Sequence, residues 1–491
     1  MAKLYVFGIG GTGSRVIKAL TMLLASGVKL ANGFDTVVPI IIDPDTANGD
    51  LNRTGDILLK YQNIVKEAGN GKSFFGTKIK TLTQLTNEHV PNISNNFKFS
   101  IDGSGQKFGD SIDYNGLDDE NKALIDLLFS KDNINADMTV GFKGNTNIGS
   151  VVLNKIVGSE EYKEFANSFN LGDAIFIISS IFGGTGASGF PLLLKNFRTN
   201  DPTKLNSNII SAAKIGAISY LPYFKVSDND GNQKEIESAT FFGKAKAALS
   251  YYEHAIFNNQ NSLNVFYYIG DNANNNMKYA VGNAEQKNDA HFVELAGALA
   301  IVDFTKDLPN INLNNKINIK EFGVENGDFN LKFDSLGQDS KDELKVPLSK
   351  LYLFDKFIKK SMEELKKSPG SFNGDGGISA NFYISDFYKI DFVTFLKYFK
   401  EWMDEMKGND ISFAPFHDNQ THDNLFDFII GNEVSKGGTF SKNKATGDIL
   451  IKNANELIKV GKFNSETEES RFLKVFDYLL EIQVKNILNI K

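Results

Sequence analysis

Short apolar runs alternate along the chain with stretches of helical period. Lys3–Phe7 is an apolar run that breaks at Gly8-Ile9-Gly10-Gly11-Thr12-Gly13-Ser14, and Arg15–Ala25 then carries Val16, Ile17, Leu20, Leu23 and Leu24 at helical spacing. This predicts strand, glycine turn, helix. Thr36–Ile42 is a continuous apolar run ending in Asp43-Pro44-Asp45, the pattern of a strand buried on both faces of a parallel sheet with acidic residues at its carboxyl end. A third run, Ala174–Ile181, meets Phe182-Gly183-Gly184-Thr185-Gly186-Ala187-Ser188-Gly189 and passes into an apolar, helix-like stretch through Phe197. Ala212–Leu221 and Leu263–Ile269 predict further strands, and Ile236–Ala255 and His291–Lys306 predict helices. Strands alternating with helices predict an α/β fold: a largely parallel, Rossmann-like sheet covered by helices on both faces.

Two regions depart from that texture. From about residue 56 to 137 the chain is polar and lacks a long period, which predicts helices and loops inserted over the sheet. Beyond Pro309 it becomes Asn-rich, with helices predicted at Lys350–Lys367 and Phe392–Met406 and a strand at Ala380–Ile384. On this reading residues 1–306 form one domain and residues 307–491 a second, α+β domain. There is no internal repeat.

Composition narrows the chemistry. Lys+Arg number 53 and Asp+Glu 60, a net charge of −7, which argues against a broad basic surface and gives no sign of a nucleic-acid partner. The absence of cysteine removes disulfides, thiolate zinc sites, iron–sulfur clusters and a Cys nucleophile together. Five histidines leave little for a multi-His metal site, and no metal ligands are assigned. No apolar run approaches the ~20 residues of a membrane span. Met1–Gly8 lacks the parts of a signal peptide, so a cytoplasmic protein is expected.

The candidate chemistry lies in the glycine loops. Glycines let backbone approach a phosphate closely, and the N–H groups at a helix start bind the anion. Neither main loop is a Walker A motif, because no Gly-Lys-Ser/Thr follows. Gly8–Gly13 alone fits a dinucleotide pattern in which Asp43 or Asp45 holds a ribose, with a tight turn that binds no ligand as the lesser reading. The second loop, Gly183–Gly189, changes the balance, because two such loops on neighbouring strands suit one polyphosphate held between them. Gly141-Phe142-Lys143-Gly144-Asn145-Thr146-Asn147-Ile148-Gly149 is a third glycine turn before an apolar, helix-like stretch.

Together these residues resemble the tubulin/FtsZ superfamily, and the texture is nearest its divergent prokaryotic members. Gly183-Gly184-Thr185-Gly186-Ala187-Ser188-Gly189, followed by Pro191, is similar to the family's glycine-rich signature, with Phe182 in place of its first glycine and Ala187 as an added residue. Gly8–Ser14 resembles the FtsZ loop on the α- and β-phosphates, Ile41–Asp45 its acidic strand end, and Gly144–Gly149 the loop beside the γ-phosphate. Ser219–Tyr223 is similar to the passage before the ribose contacts, and Asn288–Leu295 to the start of the long central helix that meets the guanine. The match covers about residues 1–306 and fades beyond.

The resemblance implies a GTP/GDP site made by Gly10, Gly11, Thr12, Gly13, Ser14, Asp43, Asp45, Gly144, Asn145, Gly183, Gly184, Thr185, Gly186, Glu237, Asn288 and His291, with Glu235 as the lesser ribose candidate and Mg2+ left open. It implies a head-to-tail homo-oligomer whose GTPase site is completed by an acidic residue of the next subunit. The segment after the central helix lacks the family's pattern there, so Asp303 and Asp307, with Glu321 behind them, are the catalytic candidates, and slow or absent turnover is expected.

Three other readings stay open. An NAD-dependent oxidoreductase would use only Gly8–Gly13 and Asp43, but no catalytic constellation accompanies them. An adenylating enzyme would use Asp43, Asp45 and Arg53 with ATP, leaving Gly183–Gly189 unexplained. A scaffold without nucleotide is the third possibility. His291, on an apolar face, fits a packed histidine as readily as a base contact. His417 and His422, with Asp418 and Asp423, read as a solvated loop rather than a metal site, and Trp402 as helix packing.

Overall fold

The computed structural model describes residues 2–69, 73–85, 93, 95–139, 141–142, 144–227, 238–258, 262–271, 276–278, 283–311, 316–321, 329–374, 376–419, 421–432, 446–463 and 466–490. The apolar runs, together with two short edge segments, form a seven-stranded sheet: β1 (Ala2–Ile9), β2 (Phe34–Ile42), β3 (Lys78–Ile79), β4 (Ala174–Ser180), β5 (Lys214–Tyr220), β6 (Val265–Ile269) and β7 (Asn318–Glu321). Their spatial order is β3-β2-β1-β4-β5-β6-β7, and every neighbouring pair is parallel. All seven residues of β4 are buried, as a central strand with helices on both faces requires. Gly8 at the end of β1 lies opposite Ile41 of β2 and Ile178 of β4, so the three strands finish at one edge. The chain builds outward from β1 to β2 and β3, and from β4 to β5, β6 and β7. The order therefore reverses between β1 and β4, where open α/β sheets form their binding crevice.

The main helices are α1 (Gly10–Ser26), α2 (Gly49–Ala68), α3 (Thr146–Leu153), α4 (Glu160–Ser168), α5 (Gly184–Arg198), α6 (Ser238–Tyr252) and α7 (Phe292–Asp307), then α8 (Gln338–Lys367), α9 (Val393–Lys407), α10 (Gly447–Lys459) and α11 (Glu468–Ile487). Every residue of α1 except Gly11 is buried, because the helix lies on the sheet beneath α2, α7 and α8. Helix α7 is buried nearly all round, as its apolar circumference dictates. It spans about 24 Å and runs antiparallel to the strands. Its start at His291 packs on Tyr223, just past the carboxyl end of β5, and beyond its end the Leu308 carbonyl accepts from Lys214, the first residue of β5.

Three expectations need correction. Ala380–Ile384 is not a strand. Phe382–Ile384 forms one 3-10 turn that sends Phe382 onto Phe472 (ring centroids 4.9 Å apart) and Tyr383 onto Tyr388 (5.6 Å), with Ile384 exposed, so aromatic packing replaces sheet pairing. The polar stretch from 56 is not wholly an insertion. Its beginning belongs to α2, whose Ile57, Leu58, Tyr61 and Ile64 bury one face, and Lys78–Ile79 supplies the sheet edge β3. The sheet also continues past residue 306, taking β7 from Asn318–Glu321. Among the described residues the rest of the later chain is largely helical, with one two-residue parallel ladder, Asn330–Leu331 against Ser412–Phe413.

Candidate functional site

Two bare helix N-termini meet at the β1–β4 crevice. Helix α1 follows β1 directly, with Ile9 at its cap, and α5 follows β4 with Gly183 at its cap. Among the described residues neither N-terminus has a side-chain cap or an acidic residue in its first turn. Asn48 caps α2, Asn145 α3, Ser159 α4 and Thr467 α11; α8 and α10 begin without a side-chain cap but carry Asp339 and Asp448 in their first turns, and α9 continues directly from the helical turn Phe387–Phe392. A helix start leaves four N–H donors without an intrahelical partner, and its dipole end attracts negative charge. The two starts at the crevice thus present backbone donors that no side chain of their own satisfies.

Glycine permits the approach. A Cβ on Gly13 would lie 2.5 Å from Gly8 C, so α1 rests on β1 with no room for a side chain, and Gly10 turns the chain at φ +72°. The first loop touches the second: a Cβ on Gly10 would stand 3.7 Å from Thr185 Cβ. The third touches the second as well, because a Cβ on Gly184 would stand 3.0 Å from Gly144 N and 3.2 Å from Asn145 N. Gly10, Gly11, Gly144, Asn145, Gly183, Gly184, Thr185 and Gly186 are thus brought to one place.

The side chains expected there are differently engaged. Thr12 Oγ1 accepts from Arg15 at 3.4 Å, and buried Ser14 donates to the Asp50 carbonyl at 3.4 Å. The Asn145 side chain caps α3, accepting from Asn147 N and Ile148 N. Asp43 and Asp45 sit at the end of β2, buried, each folded into its own turn: Asp43 accepts from Asp45 N at 3.0 Å and Asp45 from Ala47 N at 3.1 Å. Burial pushes the Asp43 carboxyl up to about 7. Asn288 donates to Asp50 from its backbone N (3.1 Å) and its amide (3.2 Å). His291 has no exposed surface. Its Nδ1 accepts from Val293 N, capping α7, its ring meets Tyr223 edge-on, and burial lowers its pKa to about 4. Glu235 and Glu237 lie outside the described residues.

The catalytic candidates are not brought to the loops. Asp303 and Asp307 lie near the far end of α7, at the amino edge of the sheet. Lys320 of β7 holds both, at 2.6 and 2.5 Å, and Tyr267 donates to Asp303 at 2.7 Å. Glu321 accepts from Tyr268. His417 and His422 go separate ways, His422 to Ser361 (2.9 Å) and His417 toward Asp427 (3.6 Å). Among the described residues no group of three or more His, Asp or Glu could hold a metal ion, and no helix is long and apolar enough to cross a membrane.

No protein-family profile and no curated protein matches the chain. Solved structures do resemble it. CetZ from Methanosaeta thermophila strain DSM 6194 is 13% identical over 63% of this chain and 54% of its own, at a TM-score of 0.28. CetZ2 from Haloferax volcanii, in a GTPgS-bound protofilament, is 12% identical over 65% and 64%, at 0.31. TubZ-Bt in a two-stranded filament is 13% identical over 82% and 79%, at 0.23. All three are tubulin/FtsZ-family proteins. The chain spans about half the length of the first and less than two thirds of the second.

Sequence reasoning missed an ionic network directly beneath the first loop. Arg15 donates to Glu294 of α7 (2.6 Å), Asp50 of α2 (2.9 Å) and the Tyr223 hydroxyl (2.7 Å), which itself donates to Glu294 (2.8 Å). Burial opposes the charge on Arg15, but Tyr223, Glu294 and Asp50 outweigh it and raise its pKa. Arg53, which could have served Asp43 in an adenylating site, instead bonds Asp50 (3.1 Å), the Asn288 carbonyl (2.6 Å) and Glu405 of α9. Lys18 meets the same Glu405 at 3.2 Å. Three cations and three carboxylates thus tie α1, α2, α7 and α9 together. The available signal was Arg15 and Lys18, two charges inside an otherwise apolar helix.

Proposed function

We propose that this chain is a cytoplasmic, tubulin/FtsZ-like protein that binds GTP at the β1–β4 crevice and assembles head to tail, with slow turnover. The observation that carries the reading is the pair of uncapped helix N-termini, on adjacent strands at the switch point, with a third glycine loop against them. One dinucleotide loop would account for α1 alone; a polyphosphate spanning both helices accounts for all three loops.

The position of Asp303 and Asp307 supports assembly. They lie at the sheet edge opposite the glycine loops, so their carboxylates reach a bound nucleotide only from a neighbouring molecule. A repeated head-to-tail contact of that kind builds an open filament. Lys320 neutralises both, which supports slow hydrolysis, because a group that positions water must be free to accept its proton.

Calorimetric titration of the full chain with GTP, ATP and NAD in parallel tests the binding claim, with light scattering and phosphate release followed against protein concentration. GTP binding, with scattering and turnover that rise together with concentration, is the expected result. Binding of NAD or ATP alone would replace the reading, and turnover independent of protein concentration would remove the shared site.

A further inference from the structure

The three glycine loops touch in a fixed order, and the order ends on a cation. The first loop adjoins Thr185 and Gly186 through Gly10, and Gly184 adjoins Gly144 and Asn145. Beyond them Lys244, on α6, donates from Nζ to the Gly144 carbonyl at 3.0 Å. Gly144 has φ +75°, and a Cβ there would meet Lys244 Nζ at 2.6 Å, so glycine at this position makes room for the ammonium as well as for the turn. Lys244 is half-buried, burial lowers its pKa, and among the described residues no carboxylate pairs with it. An ammonium held by one neutral carbonyl keeps two donors and its charge for a ligand.

Resting on the GTP reading above, we propose that Lys244 is the residue by which the site distinguishes a nucleoside triphosphate from a diphosphate, its ammonium contacting the phosphate farthest from the first loop. A polyphosphate that starts at the Gly10 loop and crosses the start of α5 reaches Gly144 and Lys244 only with its last phosphate. A diphosphate ends over α5. Lys244 lies a hundred residues from the loop it serves, in a stretch of sequence with no motif.

The test is calorimetric titration of the full chain with GTPγS and with GDP, in wild type, Lys244→Gln and Lys244→Arg. Gln keeps a donor for the Gly144 carbonyl and removes the charge; Arg keeps the charge. The readout is the ratio of the two affinities within each protein, because partial unfolding lowers both alike. Lys244→Gln is expected to weaken GTPγS about tenfold or more and to change GDP less than about twofold, while Lys244→Arg keeps most of the preference. An unchanged ratio in Lys244→Gln would overturn the proposal and leave the nucleotide site standing. Wild-type protein that binds neither nucleotide would overturn the site and, with it, this role.

Discussion

Helix α1 carries two kinds of chemistry within two turns. Its N-terminus offers only backbone N–H groups and small residues, with nothing of its own to neutralise them. Arg15 and Lys18, farther along, are matched on every side by Asp50, Glu294, Glu405 and the Tyr223 hydroxyl. The first region has no side-chain cap among the described residues, whereas the second is charged and paired. Buried polar groups cost free energy when they lack partners, so the second region makes sense as structure and the first as a place for a ligand.

The largest expected effect breaks the satisfied region. Arg15→Met leaves Asp50 and Glu294 with a lost buried partner, and should lower unfolding stability by about 3–5 kcal/mol, measured by urea unfolding. A loss under about 1 kcal/mol would mean the network is far more hydrated than its burial implies.

Next in size is a pH effect at His291. Its folded pKa, near 4, lies below the ordinary value of 6.5. The folded state therefore binds fewer protons than the unfolded one, and stability is lost as pH falls from about 6.5 toward 4, by at most about 3 kcal/mol. His291→Asn, which keeps a helix cap, should flatten that part of the profile in thermal melts across pH 4–7. An unchanged profile would place the acid sensitivity elsewhere.

The smallest effect sharpens the contrast between capped and bare helix starts. Asn145→Ala removes the two hydrogen bonds that cap α3, and should cost about 1 kcal/mol with the melting temperature falling accordingly.

The two regions also differ in how far the sequence discloses them. The glycine loops are contiguous, each bounded by an apolar run and a helical period, so β1, β2, β4, their loops and the α/β class are all visible locally. The network is not, since Arg15 finds Asp50 35 residues on and Glu294 279 on, and Lys18 finds Glu405 387 on. Only the fold brings them together. Strand β7 escaped notice because Asn-Ile-Lys-Glu is an exposed edge without an apolar run, and α2 because its buried Ile57, Leu58, Tyr61 and Ile64 are separated by Lys60, Gln62 and Asn63. Asn145 and His291 show the converse. Both stand where the resemblance puts ligand contacts, and both side chains cap helices.

The most direct test of the central claim is GTP binding by Gly11→Asp, measured together with its melting temperature. Gly11 is the one residue of α1 that is half-buried rather than buried, and a Cβ there meets only Arg15 NH1 at an ordinary 3.5 Å. A carboxylate at a bare helix start favours the dipole, so the fold should be as stable as wild type or slightly more so. The same carboxylate occupies the donors and repels phosphate, so GTP affinity should fall by at least about 100-fold. A folded Gly11→Asp protein that binds GTP as tightly as wild type would contradict the account.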